Sequence, residues 1–443
     1  MPSKVFSCVL IAAFTGFLFG FDGVVISGVN LPLKNLWQTS DWYHGMFIVS
    51  VSLWGMVVGS VFGGYPTEKF GRRTTLIFVG VLFTISALGT ALAMEPAFFS
   101  VFRFIGGLAA GVGSIAAPTY IAEISSAENR GRFGMLFQLN IVLGILIAFL
   151  SNYVLVGVGD HNDWRLMLGV MAIPSLVYTA LLFTVYESPR WLIQTNRSRS
   201  KALEVLKRIA SKDEMENLVK SFQPQGKNRK TSARSLFSRK YRRVLWLSFL
   251  MAFFNQFSGI SFILFYAPEI LEKAGLATAE SLMGSVALGV VNLFATLIGI
   301  YLIDRLGRKQ LMYIGSVGYI ISLSMLAYSF YHNLSAGFAL IFMLLFIVAH
   351  AVGQGAVIWV FIAEIFPNAV RSFGQSWGAG LLNGFAALTT LFGAVLIGMF
   401  PSWLIFLAFA GLMILQLLFT RFVMPETRSV SLEELEMKLA TSK

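Results

Sequence analysis

A charged motif occurs twice in this chain, as GGYPTEKFGRR at 63–73 and as GIYLIDRLGRK at 299–309. Both copies follow an apolar run, and both place an acid three residues before a Gly-Arg-basic triplet. Self-similarity at a fixed separation is the sequence signature of an internal repeat. The motif therefore predicts two related halves.

Two further motifs repeat at a similar separation of about 240 residues. Ala-Glu-Ile occurs at 122–124 and at 363–365, and an arginine follows the glutamate by seven residues in both copies. ESPR at 187–190 is echoed less closely by PETR at 425–428. The repeat therefore extends over both halves of the chain.

The composition predicts a membrane protein, because 56% of the 443 residues are hydrophobic and only 13% are charged. A helix of roughly 20 apolar residues crosses a bilayer, and the runs lack the alternation of barrel strands. We therefore predict an all-α membrane protein with twelve transmembrane helices. The predicted spans are 6–28, 45–66, 74–94, 97–121, 133–157, 165–186, 244–268, 281–303, 310–331, 337–362, 373–397 and 402–422.

The first apolar run is interpreted as a retained helix and not as a signal peptide, because no small-residue cleavage site precedes 34–43. The single cysteine, Cys8, excludes an internal disulfide and a cysteine zinc site. With no targeting extension and short loops, the chain fits a bacterial cytoplasmic membrane.

The net charge of +12 is concentrated on one side of the predicted spans. Of the 34 Lys and Arg residues, only Lys34, Arg165 and Lys273 fall on the opposite side, and Arg103 lies inside a span. Basic loops mark the cytoplasmic face of a membrane protein. Both termini are therefore predicted to be cytosolic, and no nucleic acid is predicted as a partner.

The repeat predicts two parallel six-helix bundles at 1–186 and 244–422, a cytosolic tail at 423–443, and a basic linker at 187–243. Helical spacing of apolar residues predicts short amphipathic helices in the linker. A flexible charged tether is the alternative.

The repeated charges predict ion pairs between helix ends that act as a cytosolic latch and favour an outward-open state. Their alternative role is to enforce topology only. The latch candidates are Glu68, Arg72, Arg73, Glu123, Arg130, Glu187, Arg190, Asp304, Arg308, Glu364, Arg371 and Glu426.

Asp22 and Arg103 are the ionisable residues that fall well inside the predicted spans. Each lies six residues below the outer end of its helix, about 9 Å from the membrane face. Opposite charges at equal depth predict a pair, because an unpaired charge in lipid is costly.

The chain resembles the sugar porter family of the major facilitator superfamily along essentially its whole length. The first-half motifs are GFDGVVISG at 20–28, RFIGG at 103–107 continuing to Tyr120 and Glu123, and ESPRWL at 187–192. The second-half motifs are NQFSGI at 255–260, YAPE at 266–269, GQG at 353–355 with Trp359, and PETR at 425–428. Their joint order and spacing carry the resemblance.

The resemblance implies a sugar site of polar amides and one aromatic ring, supplied mostly by the second half. The implied candidates are Gln138, Asn255, Gln256, Ser261, Asn292 and Trp359, with Asn383 beside the position of a further family contact. Uncharged amides suit sugar hydroxyls because they donate and accept. The alternative role of each amide is an interhelical hydrogen bond, and that of Trp359 is packing.

Helix depth supports two of these candidates independently, because Gln256 and Asn292 fall about 16 to 18 Å from a membrane face. The chain departs from the family pattern at Asn255, Ser261, Phe265 and Gly23, where glutamine, asparagine, tyrosine and threonine are common. These departures bear on which sugar binds.

Proton-coupled members of the resembled family carry an acid at the place of Asp22. The predicted function is therefore monosaccharide import, of a hexose or pentose, by alternating-access proton symport. Asp22 would carry the proton, with Arg103 as its partner; the alternative for the pair is a permanent salt bridge. The alternative functions are a uniporter and a non-transporting sugar sensor. The predicted partners are a sugar, a proton and the bilayer; no enzyme activity, cofactor, metal or obligate protein partner is predicted.

Overall fold

A computed structural model describes residues 3–125, 129–159, 162–195, 199–209, 236–367 and 370–428. Within these ranges the regular secondary structure is helical throughout, and no strand occurs. Helices satisfy their own backbone hydrogen bonds, which is what long apolar segments require in lipid.

In its described residues the first half of the chain forms twelve α-helices, some of them short. They are α1 Ser3–Val25, α2 Asn30–Trp37, α3 Asp41–Tyr43, α4 Val51–Phe62, α5 Gly64–Phe70, α6 Arg72–Ala91, α7 Pro96–Ile124, α8 Arg130–Leu155, α9 Asp163–Gly169, α10 Ala172–Leu182, α11 Pro189–Gln194 and α12 Arg199–Ile209. A 3-10 turn at Ile26–Gly28 follows α1, and a wide π-helical segment at His44–Val49 joins α3 to α4.

The second half forms eight α-helices in its described residues, preceded by a 3-10 turn at Arg239–Tyr241. They are α13 Arg242–Gln256, α14 Ile260–Lys273, α15 Thr278–Leu306, α16 Arg308–Tyr331, α17 Ala336–His350, α18 Ala356–Ile365, α19 Arg371–Met399 and α20 Ser402–Phe422. A second π-helical segment, Ala351–Gly355, continues α17 into α18.

Eleven helical segments in the described residues are long and apolar enough to cross a membrane. One bent pair, Asp41–Val49 with Val51–Phe62, passes the same test with a bend of 42° and makes a twelfth span. The predicted all-helical fold with twelve spans is therefore confirmed. The predicted end at 268 was short, because helix α14 continues to Lys273.

Glycine and proline set the main breaks in the second half. Gly259, with a φ of 90°, separates α13 from α14 in a backbone conformation that favours glycine. Within α14 the backbone leaves helical geometry at Tyr266, two residues before Pro268. Proline has no N–H, and its ring clashes with the carbonyl four residues earlier, so the kink has a local cause.

The chain divides into two compact units that do not follow chain order. One comprises Met1–Gly23, Gly55–Ile145 and Leu168–Lys230, and the other comprises Val24–Trp54, Leu146–Met167 and Thr231–Lys443. We call them the first and the second unit and discuss each through its described residues. Because packing and not sequence defines them, the predicted six-helix bundles, linker and tail stay predictions. Residues 210–235 and 429–443 lie outside the described residues.

Candidate functional site

The first unit contains a buried ion pair between α1 and α7. Arg103 Nη1 lies 2.9 Å from Asp22 Oδ1, and Arg103 Nη2 donates to the Asp22 backbone oxygen at 3.0 Å. Asp22 is 2% exposed and Arg103 is 1% exposed. The guanidinium thus binds both the side chain and the backbone of one residue, which fixes the distance between the two helices.

A glycine makes room for this pair. A Cβ at Gly106 would lie 3.0 Å from Asp22 Oδ1 and would collide with Ser86 Oγ. Gly106 belongs to the RFIGG motif, one turn beyond Arg103 on α7. The motif therefore supplies both the cation and the space in which the carboxylate meets it.

The second unit contains a polar cluster at the junction of α13 and α14. Gln256 Nε2 donates to Asn255 Oδ1 at 3.0 Å, and Ser261 Oγ donates to Gln256 Oε1 at 2.6 Å. The three residues are between 4% and 8% exposed. The helix break at Gly259 brings Ser261 back to the amides, because a continuous helix would carry it further along the axis.

The remaining sugar-site candidates lie on other elements. In the second unit, Asn292 on α15 and Asn383 on α19 are buried, whereas Trp359 on α18 is 41% exposed. Among the described residues, neither Asn292 nor Trp359 hydrogen-bonds to the cluster at 255–261. Gln138 is half-buried on α8 in the first unit. The structure therefore brings together Asn255, Gln256 and Ser261, and binding by any candidate stays a prediction.

The start of α6 carries what we call the first charged cluster, formed by Arg72, Glu123 and Glu187. Arg72 Nη2 pairs with Glu123 Oε1 at 2.9 Å, and Ser188 Oγ donates to Glu123 Oε2 at 2.6 Å. The backbone N–H groups of Arg72 and Arg73 donate to Glu187 Oε1 at 3.0 and 3.1 Å. Glu187 therefore caps a helix start more than 100 residues away in sequence, where free N–H groups favour an anion.

The start of α16 carries the second charged cluster, formed by Arg308, Glu364 and Glu426. Arg308 Nη2 pairs with Glu364 Oε1 at 2.8 Å, and Thr427 Oγ1 donates to Glu364 Oε2 at 2.6 Å. The N–H groups of Arg308 and Lys309 donate to the Glu426 carboxylate at 3.1 and 2.9 Å. The repeated motifs thus build the same set of contacts in each unit.

The other latch candidates take less part in these clusters. Glu68 is exposed, Arg190 is half-buried, and Asp304 is exposed and lies 3.5 Å from Arg308. The side chains of Arg130 and Arg371 lie outside what the structure describes. Because the contacts given above for each cluster lie within one unit, a latch role stays a prediction.

The two capping glutamates differ in proton affinity. Burial raises the pKa of Glu187 above its usual value, despite the backbone N–H groups that favour its ionised form. Burial acts in the same direction at Glu426, but four backbone N–H groups, of Arg428, Lys309, Arg308 and Thr427, outweigh it and lower the pKa. The pKa values of these equivalent glutamates are therefore shifted in opposite directions.

A buried acid in the second unit was missed by the sequence analysis. Glu269 on α14 is 8% exposed and accepts a hydrogen bond from Asn30 Nδ2 at 2.9 Å. Asn30 Oδ1 lies 2.7 Å from Nε2 of the buried His44. The available signal was the Pro-Glu pair at 268–269, but the predicted span ended before the glutamate. Asp22 is therefore not the sole buried acid of the apolar helices.

The described residues contain no group of three His, Cys, Asp or Glu side chains arranged to hold a metal ion.

Comparison with known proteins extends along nearly the whole chain. The sequence profile of the family described as "Sugar (and other) transporter" matches residues 8–439. The arabinose-proton symporter of Bacillus subtilis (strain 168) is 35% identical over 441 residues, which covers 96% of this chain and 93% of the relative. The glucose transporter GlcP of Staphylococcus epidermidis (strain ATCC 12228 / FDA PCI 1200) is 33% identical over 442 residues, covering 99% and 98%.

A solved structure supports the same relationship. The xylose transporter XylE from E. coli, in a partially occluded inward-open conformation, superposes with a TM-score of 0.86 at 29% identity. The match covers 97% of this chain and 100% of that structure.

Proposed function

This chain belongs to the sugar (and other) transporter family, and from that premise we propose that it imports a monosaccharide by proton symport through alternating access. Membership of the family makes the chain a multi-pass membrane transporter and not an enzyme. The substrate class, a hexose or pentose, is supported by relatives named for arabinose, glucose and xylose.

The buried Asp22–Arg103 pair is the observation that carries proton coupling. A carboxylate that is 2% exposed is stable as an anion only beside its cation, and protonation removes the charge that holds the arginine. The pair therefore has two states that differ by one proton. A proton gradient favours protonation of the pair on the side of higher proton concentration and deprotonation on the other side. Symport requires such a directional difference.

The sugar contacts are assigned to Asn255, Gln256, Ser261, Asn292, Asn383, Trp359 and Gln138. The first three are supported by the hydrogen bonds that they make with one another. A bound sugar hydroxyl can replace these bonds, so that no buried polar group is left unpaired. The exposed indole of Trp359 supplies an apolar face for the sugar ring.

We place the protein in the cell membrane, with both termini and the two charged clusters on the cytosolic side. The distribution of basic residues supports this orientation. In this orientation each cluster would act as a cytosolic latch that favours the outward-open state of the transporter.

The decisive experiment uses purified protein in proteoliposomes and a panel of radiolabelled pentoses and hexoses. With an inward proton gradient, one or more sugars accumulate above equilibrium, and a protonophore abolishes the accumulation. Asp22→Asn is expected to keep exchange of labelled for unlabelled sugar but to lose accumulation, because the residue no longer changes charge.

Two further outcomes bear on the proposal. Gln256→Ala should raise the sugar concentration for half-maximal exchange by tenfold or more, because unpaired site groups are left behind. Ser322→Ala, which removes a buried helix-internal hydrogen bond on α16, serves as the control. Sugar transport that is unchanged by the protonophore and by Asp22→Asn would identify a uniporter instead.

A further inference from the structure

The helix that carries Trp359 contains a wide turn one turn before the indole. Residues Ala351–Gly355 form a π-helical segment between α17 and α18. An α-helix advances about 100° per residue, so one inserted residue rotates every later side chain by about that angle around the axis. The direction in which Trp359 points therefore depends on whether this turn is wide or regular.

Two neighbouring helices approach the wide turn at glycines. A Cβ at Gly353 would lie 2.7 Å from the Cα of Gly315 on α16, and a Cβ at Gly299 on α15 would lie 2.7 Å from the backbone oxygen of Ala351. Such distances leave no space for a side chain on either surface. The wide turn is therefore packed between α15 and α16, and its position is set by backbone contact.

A chain of buried side-chain hydrogen bonds ties the same turn to α20 and α16. Gln354 Nε2 donates to Gln416 Oε1 at 2.7 Å, Gln416 Nε2 donates to Ser316 Oγ at 2.9 Å, and Ser316 Oγ donates to the Met312 backbone oxygen at 2.7 Å. Gln354, Gln416 and Ser316 are all 0% exposed. The three hydrogen bonds run in series, with one donor and one acceptor in each. They therefore fit only one position of Gln354 in the wide turn.

Two fully buried glutamines need an explanation in an apolar bundle, because burying an amide is costly unless it is hydrogen-bonded. Apolar side chains of similar size would fill the same volume without that requirement. What the amides add is geometry, since a hydrogen bond constrains distance and angle whereas an apolar contact does not. A regular turn would rotate Gln354 away from Gln416. The Gln354 amide nitrogen and the Gln416 amide oxygen would then lose each other as partners, while Gln416 would keep its hydrogen bond to Ser316.

We propose that Gln354 and Gln416 are positioning residues that hold the wide turn at Ala351–Gly355 and thereby aim the indole of Trp359 into the sugar site. The inference rests on the proposed function in its last step only, the contact of Trp359 with sugar. The orientation of the indole itself does not depend on which sugar is carried, or on any sugar being bound.

The test compares full-length reconstituted protein with Gln354→Met, Gln416→Met and the double variant. Trp359 fluorescence is obtained as the difference between each protein and the same protein carrying Trp359→Phe. Quenching of this signal by acrylamide without sugar should change in both single variants, since both lose the Gln354–Gln416 bond. The double variant should behave as Gln416→Met, which also loses the bond to Ser316. Half-maximal sugar concentration should rise about five- to tenfold, the range expected for loss of an aromatic contact, while the maximal exchange rate stays nearly constant.

Matched controls separate positioning from general destabilisation. Thr420→Val removes a buried hydrogen bond to the Gln416 backbone on α20 without touching the amides, and it should leave quenching and affinity unchanged. Where Gln354→Met fails to fold, Ser316→Ala removes the acceptor of Gln416 and should produce the same change with smaller amplitude.

Two results would overturn the inference. One is unchanged Trp359 quenching in folded Gln354→Met and Gln416→Met, and the other is equal losses in Thr420→Val. Failure of the proposed function looks different: Trp359→Phe would leave sugar affinity intact, while the quenching change in the glutamine variants would still report that the turn aims the indole.

Discussion

The first and second charged clusters contain equivalent contacts but differ in how deeply their side chains are buried. The side chains of Arg72 and Glu123 are 7% and 8% exposed, whereas those of Arg308 and Glu364 are 10% and 26% exposed. The same arginine–glutamate pair is thus more buried in the first unit. Because desolvation opposes charge, burial decides how strongly an otherwise identical contact depends on its partner.

The largest expected difference between the clusters comes from removing the acid of each ion pair. Glu123→Gln leaves the buried guanidinium of Arg72 without a counter-charge and should reduce stability by about 3 kcal/mol. Glu364→Gln should cost about 1 kcal/mol, because water reaches the more exposed site. Thermal unfolding in detergent provides the ranking, and equal losses would show that burial does not distinguish the clusters.

The glycine that precedes each helix is the next comparison. Gly71 and Gly307 have φ values of 99° and 91°, which L side chains rarely adopt, so alanine should destabilise either site by about 1 to 2 kcal/mol. A Cβ at Gly307 would lie 2.9 Å from Glu426 Oε2, and a Cβ at Gly71 would come closer still to Glu187 Oε2. Gly71→Ala should therefore lower the melting temperature more than Gly307→Ala, and the reverse order would contradict this reasoning.

A smaller and equal effect is expected where the two clusters share the same contact. Ser188→Ala and Thr427→Val each remove a hydroxyl that donates to a carboxylate at 2.6 Å. Each should cost about 1 kcal/mol in thermal unfolding measured as above. A clear inequality would mean that the hydrogen bond, and not only the ion pair, responds to burial.

The smallest expected effect is a pH dependence of opposite sign. The raised pKa of Glu187 means that its contribution to stability is fully present below its unfolded pKa of 4.5 and is lost as the pH rises through the folded value. The lowered pKa of Glu426 means that its contribution is present above 4.5 and is lost as the pH falls through the folded value.

Melting temperatures from about pH 4 to about pH 7 check these signs. The difference between wild type and Glu187→Gln should shrink as the pH rises, whereas that between wild type and Glu426→Gln should grow. Parallel slopes for the two variants would show that the two caps titrate alike.

Much of the fold and of the candidate site could be predicted from the sequence, wherever the sequence pattern was local or occurred in both halves. Apolar runs of bilayer length predicted the twelve spans, and depth along two helices predicted that Asp22 and Arg103 lie at one level. The recurrence of charged motifs predicted which acids and bases occupy equivalent places. These inferences succeed because hydropathy and helix rise depend on neighbours in sequence.

Other features could not be predicted because they depend on contacts between distant segments. No sequence pattern near Arg72 predicts that Glu187 caps helix α6, and none near Arg308 predicts that Glu426 caps helix α16. Gln354 in the wide turn at Ala351–Gly355 is hydrogen-bonded to Gln416 of α20, and Glu269 is buried on the part of α14 beyond its kink.

The amino-acid sequence alone thus predicted a helical membrane protein with an internal repeat and charges at equivalent positions, since apolar length and motif spacing can be read along the chain. The transport function followed from its resemblance to a known family. Folding in space settled which groups are buried together, and hence which titrate, which cap and which aim a neighbour. The physical reason is that desolvation and hydrogen-bond geometry are fixed by packing between segments, whatever their separation along the chain.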